Sequence, residues 1–324
     1  IDLIASGDSC YVQRFLEFCH GKHEGGSSPT VCLACNLKDE TVEGKTSSKL
    51  GGRVSSTMTG RKSLVGIAFF FRPFNSNIED WTCGGEVYYW QINREELQRC
   101  LQERKSPGKA KNAAGSERGS TLASLVTAAA VGLLANDLVT KVIFASKQVF
   151  SLLGNAGLEI FGPVADPLVA HWLLKCARGE KGTDPSSHSS IKTGGETTFE
   201  GEMRLGHETI SGLVRMHASH LVDSSVAHAV LPLIHKGRRG GKRVAGRVEK
   251  NIVGCIKRVG AEAMCCGAVM QAMEELLRGL GSSKDASANG TETGAGLLRY
   301  FQEIEMPAVQ TFARMERVGS IFVP

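Results

Sequence analysis

Apolar residues in this chain come in short bursts separated by long polar stretches, and the period inside each burst names the element it builds. Three early bursts, at residues 30–35, 63–71 and 86–92, are rich in β-branched and aromatic side chains and read as strands. Coming in succession, they predict an antiparallel meander. Ahead of them, residues 2–18 predict a short strand and a helix with Tyr11, Phe15 and Phe18 on its apolar face, capped by Asp8 or Ser9. Behind them, Asn93 caps a helix over 94–104 with Leu97 and Leu101 inward. Residues 121–136 predict a helix too uniformly apolar to lie exposed. A strand at 140–144, a helix at 146–155 and a short strand at 158–161 follow. Asp166 then caps a helix that opens with Pro167, a favoured first-turn residue, and continues through Val169, Trp172 and Leu173.

The later part is mostly helical: one helix over 207–221, and a long one or a broken pair over 247–280. Residues 300–318 predict a single amphipathic helix. Ile304, Ala308, Phe312 and Met315 recur on one side, with Glu303, Gln310, Arg314 and Arg317 on the other. Gly319 supplies its stop, and Ile321 and Phe322 begin an extended piece. Three stretches without periodicity, 38–62, 105–120 and 178–206, read as insertions, and 281–296 as a linker. Strands followed by alternating helices and strands predict an α/β layer on a mixed sheet.

Composition refines this outline. The 324 residues suffice for one large domain or two small ones, and a hydrophobic content of 42% supports a core. Aromatic content of 6% and 38 glycines point to long loops that dilute it. The longest apolar run, 125–135, is far short of the ~20 residues that span a bilayer. A net charge of +5 is compatible with nucleic acid. Ten cysteines without a regular framework, and no secretory signal at Ile1, favour a reduced intracellular compartment.

Candidate chemistry is sparse. Cys32-x-x-Cys35 has no second Cys pair to complete a zinc site and falls on a buried strand, whereas redox pairs sit at helix starts. Cys265 and Cys266 read as helical core. His217 and His220 share a helix face, with His228 beyond, but no Cys or carboxylate at matching spacing joins them. The strongest charge cluster runs from His235 to Arg243, with Arg247, Lys250, Lys257 and Arg258 after it. Its glycine-spaced cations, Lys236, Arg238, Arg239, Lys242, Arg243 and Arg247, suit phosphate contacts, and an exposed solvated loop or a localisation signal is the competing reading. No aromatic residues interleave for base stacking, and no phosphate-binding Gly-Lys-Ser/Thr loop appears.

The closing wording, Ile304-Glu305-Met306-Pro307 and then Arg314-Met315-Glu316-Arg317-x-Gly319, resembles the segment of family A DNA polymerases that joins the proofreading exonuclease to the polymerase. Residues 157–166 and 168–174 resemble the strand and helix after the second exonuclease motif. Ala165-Asp166-Pro167 through Leu174, with Val31 to Cys35, Leu64 to Ala68 and Val87 to Trp90, is similar to the eukaryotic theta-type members, the nu type being the alternative. The resemblance implies an RNase H-like (DnaQ-like) 3′–5′ exonuclease domain over 1–280, the linker 281–296, and a truncated thumb-entry region over 297–324 of a longer protein. It also implies template-directed DNA synthesis in repair, including end joining, with Mg²⁺ and dNTPs in a polymerase domain outside this segment, and a nuclear (alternatively organellar) location.

Family exonucleases cut with two metal ions held by an Asp-x-Glu, an Asp, and a Tyr-x₃-Asp. Here those places fall at Ala34 and Asn36, at Val149, and at Ala263 and Gly267; Gln148 and Glu262 are the nearest polar neighbours. Asp39 and Glu40 are adjacent on a strand and point to opposite faces, so they cannot share a metal there. The expectation is an exonuclease fold without exonuclease chemistry and without a metal of its own, with DNA and the polymerase domain as partners. An active exonuclease with displaced carboxylates and a non-catalytic nucleic-acid- or protein-binding module are the alternatives.

Overall fold

The computed structural model describes residues 9–20, 30–40, 61–71, 86–105, 122–178, 209–221, 252–280 and 296–318. The meander forms as the pattern predicts. Strands β1 (Thr30–Glu40), β2 (Arg61–Phe71) and β3 (Glu86–Gln91) pair antiparallel, and β4 (Thr140–Ile143) and β5 (Val164–Ala165) add in parallel beyond β1. The five-stranded mixed sheet has the order β3-β2-β1-β4-β5. Its first two strands are longer than the apolar bursts suggest. The hairpin ladder runs on through the polar rim and sets Asp39 opposite Lys62 and Glu40 opposite Arg61, so 38–40 and 61–62 belong to strands. A register shift after Asn36 leaves Val65 as the extra residue of a bulge, and its carbonyl accepts the Ile92 amide at 2.9 Å.

Period-two alternation gives the sheet two buried faces. Leu33, Phe69 and Tyr88 are register partners on one of them. Against this face packs α1 (Ser9–His20), whose Phe15 ring lies 5.6 Å from Phe69 and 5.4 Å from Tyr88. Helices α2 (Arg94–Lys105) and α3 (Leu122–Leu134) complete this layer, α3 contacting both α1 and α2. The Asn93 cap is present, its Oδ1 accepting the amides of Glu95 and Glu96.

After β4 come α4 (Ser146–Asn155), β5 and α5 (Pro167–Ala177), then α6 (Ile210–His217) and the long α7 (Ile252–Leu280). Helix α7 is unbroken. It crosses β1, β2, β3 and β4 and packs against α5 and α6. The expected strand at 158–161 does not form. Leu158 and Ile160 are buried, but their segment bonds to helix ends: the Leu158 amide to the Leu153 carbonyl, and the Phe161 amide to that of Leu134. The chain then turns at Gly162 (φ +81°), where a Cβ would meet the Asp137 backbone at 2.5 Å, and β5 starts two residues later.

The closing helix is continuous, built from α8 (Gly296–Tyr300), a π turn (Phe301–Glu305) and α9 (Met306–Val318). Its inward side is not the expected one. Phe301, Met306 and Ala313 are buried, while Ile304, Phe312 and Met315 are 55%, 58% and 50% exposed. Among the described residues no helix is long and apolar enough to cross a membrane. The possible strand before residue 9, most of the stretches 38–62, 105–120 and 178–206, nearly all of the 281–296 linker and the stop at Gly319 lie outside the described residues.

Candidate functional site

The face of β1 opposite α1 carries Cys32, Ala34 and Asn36, and the register places Ala34 beside Ala68 and Tyr89, and Asn36 beside Gly66. Asn36 is buried and spends its amide inside the sheet: Nδ2 donates to Tyr89 Oη at 2.8 Å. To reach Asn36 the tyrosine ring crosses Gly66, where a Cβ would lie 2.2 Å from Oη and 2.8 Å from the Trp90 carbonyl. Glycine is therefore required there for space. Burial raises the Tyr89 pKa, and the Asn36 contact pulls it partly back, so the phenol stays protonated.

Helix α7 lies over this face with small side chains. Ala263, Cys265, Cys266 and Gly267 are all buried. Burial pushes the Cys266 thiol well above its ordinary pKa, and the nearby Cys32, Asp166 and Cys265 add to the effect, against a hydrogen bond from the Phe144 backbone. Cys35 and Cys265 are likewise pushed up to about 12, first by burial and then by the charge of Glu262. Thiols so buried stay protonated near neutral pH and are poor nucleophiles. Three residues apart on a strand, Cys32 and Cys35 also lie on opposite faces.

The remaining positions behave in the same way. Val149 on α4 is half-buried against the core, and Gln148 beside it is exposed. Asp166 is a buried carboxylate, and its oxygens are committed. Oδ1 accepts the amides of Leu168 at 2.9 Å and Ala145 at 3.2 Å, and Oδ2 accepts that of Ser146 at 2.6 Å. One side chain thus caps α5 and also secures the start of α4, including Ala145 at φ +54°, the sole non-glycine residue with positive φ among those described. Burial raises the Asp166 pKa, and the hydrogen bonds from Ser146, Leu168 and Ala145 offset part of the rise.

A pair of Mg²⁺ ions demands hard, charged oxygen ligands. Ala34, Asn36, Val149 and Gly267 offer none. These residues do not fit such a pair. Among the described residues, no group of three or more His, Cys, Asp or Glu could hold a metal ion. No family model matches the chain, and no curated protein matches it.

The histidines differ from expectation. Helix α6 ends at His217 and His220 lies in the turn beyond, so the two do not share a helix face. His217 Nε2 instead meets Nδ1 of buried His171 on α5 at 3.0 Å, with ring centroids 5.0 Å apart. No local spacing signals this pair, because its members stand on separate helices. A second group that sequence reading missed is Lys141 on β4, fully buried, whose Nζ donates to the carbonyls of Asn136 and Phe161. The only sequence signal for it is a lone lysine inside an otherwise apolar strand. His228, Lys236, Arg238, Arg239, Lys242, Arg243 and Arg247 all lie outside the described residues.

Proposed function

We propose that this chain is a catalytically silent, RNase H-like exonuclease-type domain of a family A DNA polymerase of the theta type. In this reading it supports a polymerase domain of the same protein and contacts DNA through the loop carrying Lys236 to Arg247. The observation that carries the reading is the combination of sheet order and site content. A β3-β2-β1-β4-β5 sheet with β1 parallel to β4, crossed by a long final helix, is the arrangement expected of that fold. In it the places of the metal-binding carboxylates are taken by Ala34, Asn36, Val149 and Gly267. The Tyr89–Asn36 hydrogen bond and the buried thiols of α7 add no charged oxygen there, in keeping with this reading.

The closing helix supports the second half of the reading. Its exposed Phe312 and Met315, with Ile304 exposed in the π turn before them, suit contact with a further domain. The chemistry this segment contributes is binding and positioning, with DNA synthesis and its Mg²⁺ belonging to the polymerase domain. The test is a nuclease assay on end-labelled single-stranded DNA with Mn²⁺. No shortening of the strand is expected, and robust cutting abolished by EDTA would sink the proposal. In parallel, neutralising Arg238, Arg239, Lys242 and Arg243 is expected to weaken DNA binding and flatten its salt dependence. An unchanged salt slope removes that loop from the interface.

A further inference from the structure

Helix α9 is docked with its polarity reversed. Its large apolar side chains Phe312 and Met315 are half or more exposed, and the side turned to the body carries Gln310, Arg314 and Arg317 beside buried Ala313. Lys147 Nζ meets Glu316 Oε1 at 2.7 Å, and Arg317 Nη2 meets Glu159 Oε1 at 3.4 Å. Arg314 lies over the Phe161 ring at 5.8 Å, and Gln310 donates to the Gly162 carbonyl at 3.2 Å. Both ion pairs are substantially exposed, and exposed pairs are weak and screened by salt. Apolar contact does not make up the difference. Between α9 and the body lies a cavity of about 310 Å³, apolar on the body side through Phe150, Leu153, Leu158 and Ile160, to which α9 brings Gln310, Arg314 and Arg317 beside Ala313 and Val318.

The attachment point is different in kind. Phe301 and Met306 are buried in the main core, so the helix is anchored at its start. Between them runs the π turn, in which the Met306 amide reaches back to the Phe301 carbonyl. Pro307 follows at once and cannot donate a helical hydrogen bond. A wide turn next to a missing bond is where a helix bends most easily.

We propose that α9 is a releasable strut: it pivots just beyond the buried Met306, where the π turn ends and Pro307 follows, and its docked position is held by the salt-sensitive contacts of Lys147, Glu159 and Phe161 with Glu316, Arg317 and Arg314. Release uncovers the apolar body side of the cavity and frees Phe312 and Met315 to reorient, with the Phe301–Met306 anchor in place. This does not depend on the polymerase reading.

The test is amide hydrogen exchange of this chain, read by mass spectrometry at about 0.05 M and about 1 M NaCl, between which the screening length falls several-fold. Peptides within 307–318 are expected to exchange about tenfold faster at high salt, while those of α7 stay protected. Lys147→Glu combined with Arg317→Glu is expected to reproduce the fast exchange at low salt. Ala313→Leu, which adds apolar volume facing the cavity, is expected to slow it. Fraying of a terminal helix would respond to none of these changes. Exchange of 307–318 that is indifferent to salt and to the charge reversal overturns the proposal.

Discussion

Lys141 offers a quantitative check of the packing. It stands on β4 between Val31 and Val164, fully buried, with Nζ donating to two backbone carbonyls. Burial pulls its pKa from 10.5 down to about 8, with Asp137 resisting the shift. The unfolded chain therefore binds more protons than the folded one between these values, and folding stability from this group rises as pH rises. At one pKa unit per ~1.4 kcal/mol, the charged lysine costs the fold on the order of 3 kcal/mol at pH 7. By pH 9.5 roughly 2 kcal/mol of that cost has been recovered. Lys141→Met removes the titration but leaves the Asn136 and Phe161 carbonyls without this donor, a loss of about 1–3 kcal/mol each. The two effects nearly cancel at pH 7. The informative quantity is the difference between wild type and Lys141→Met in urea unfolding at the two pH values. It is expected to shift by about 2 kcal/mol in favour of wild type on going to pH 9.5. A difference constant within error across that range would refute the buried, carbonyl-held ammonium.

Other consequences follow from single contacts. Asp166→Ala leaves three buried amides at the starts of α4 and α5 without their acceptor, and is expected to cost about 3–5 kcal/mol in chemical denaturation. Asp166→Asn, which puts a donor opposite one of those amides, should fall short of a rescue. Gly66→Ala drives a methyl into Tyr89 and the Trp90 carbonyl and is expected to destabilise by about 1–3 kcal/mol. The added substitution Tyr89→Ala should relieve only the part of that cost due to the ring. The thiols of Cys19, Cys35 and Cys265, pushed up to about 12 from 9.0, give the opposite slope to Lys141. Their stability contribution is complete below pH 9 and is lost as pH rises toward 12, so thermal scans should show alkaline destabilisation that shrinks when Cys19 and Cys35 are replaced by Ala.

The sheet was legible in the sequence because its strands are buried on both faces and thus appear as dense apolar bursts, as at 67–71 and 87–90. Where pairing is carried by backbone bonds alone, the pattern falls silent, so the polar rims at 38–40 and 61–62 read as loop. The opposite error occurred at 158–161. Leu158 and Ile160 alternate like strand residues, yet burial came from packing beside helices, and the true strand is two residues after Gly162 and Pro163. Helix α9 shows a third limit. A π turn adds one residue to a turn, which rotates everything after it by about 100° relative to what precedes it. Ile304 therefore does not keep its phase with the residues after 306, and an apolar stripe was taken for the inward side when Ala313 and Met306 fill that role. At the candidate site the substituted positions were readable from spacing, but their surroundings were not. Those depend on Tyr89 reaching across Gly66 to Asn36, and on Asp166 serving two helices, contacts between strands and turns far apart in the chain.

The central claim is that Ala34, Asn36, Val149 and Gly267, which stand where the proposed exonuclease-type domain would carry carboxylates, do not hold a pair of metal ions. Calorimetric titration of this chain with Mn²⁺ tests it most directly. The account predicts no stoichiometric binding, and the same trace for the chain carrying Asn36→Ala and Glu262→Gln. One or two ions bound per chain, with heat lost in that double variant, would contradict it.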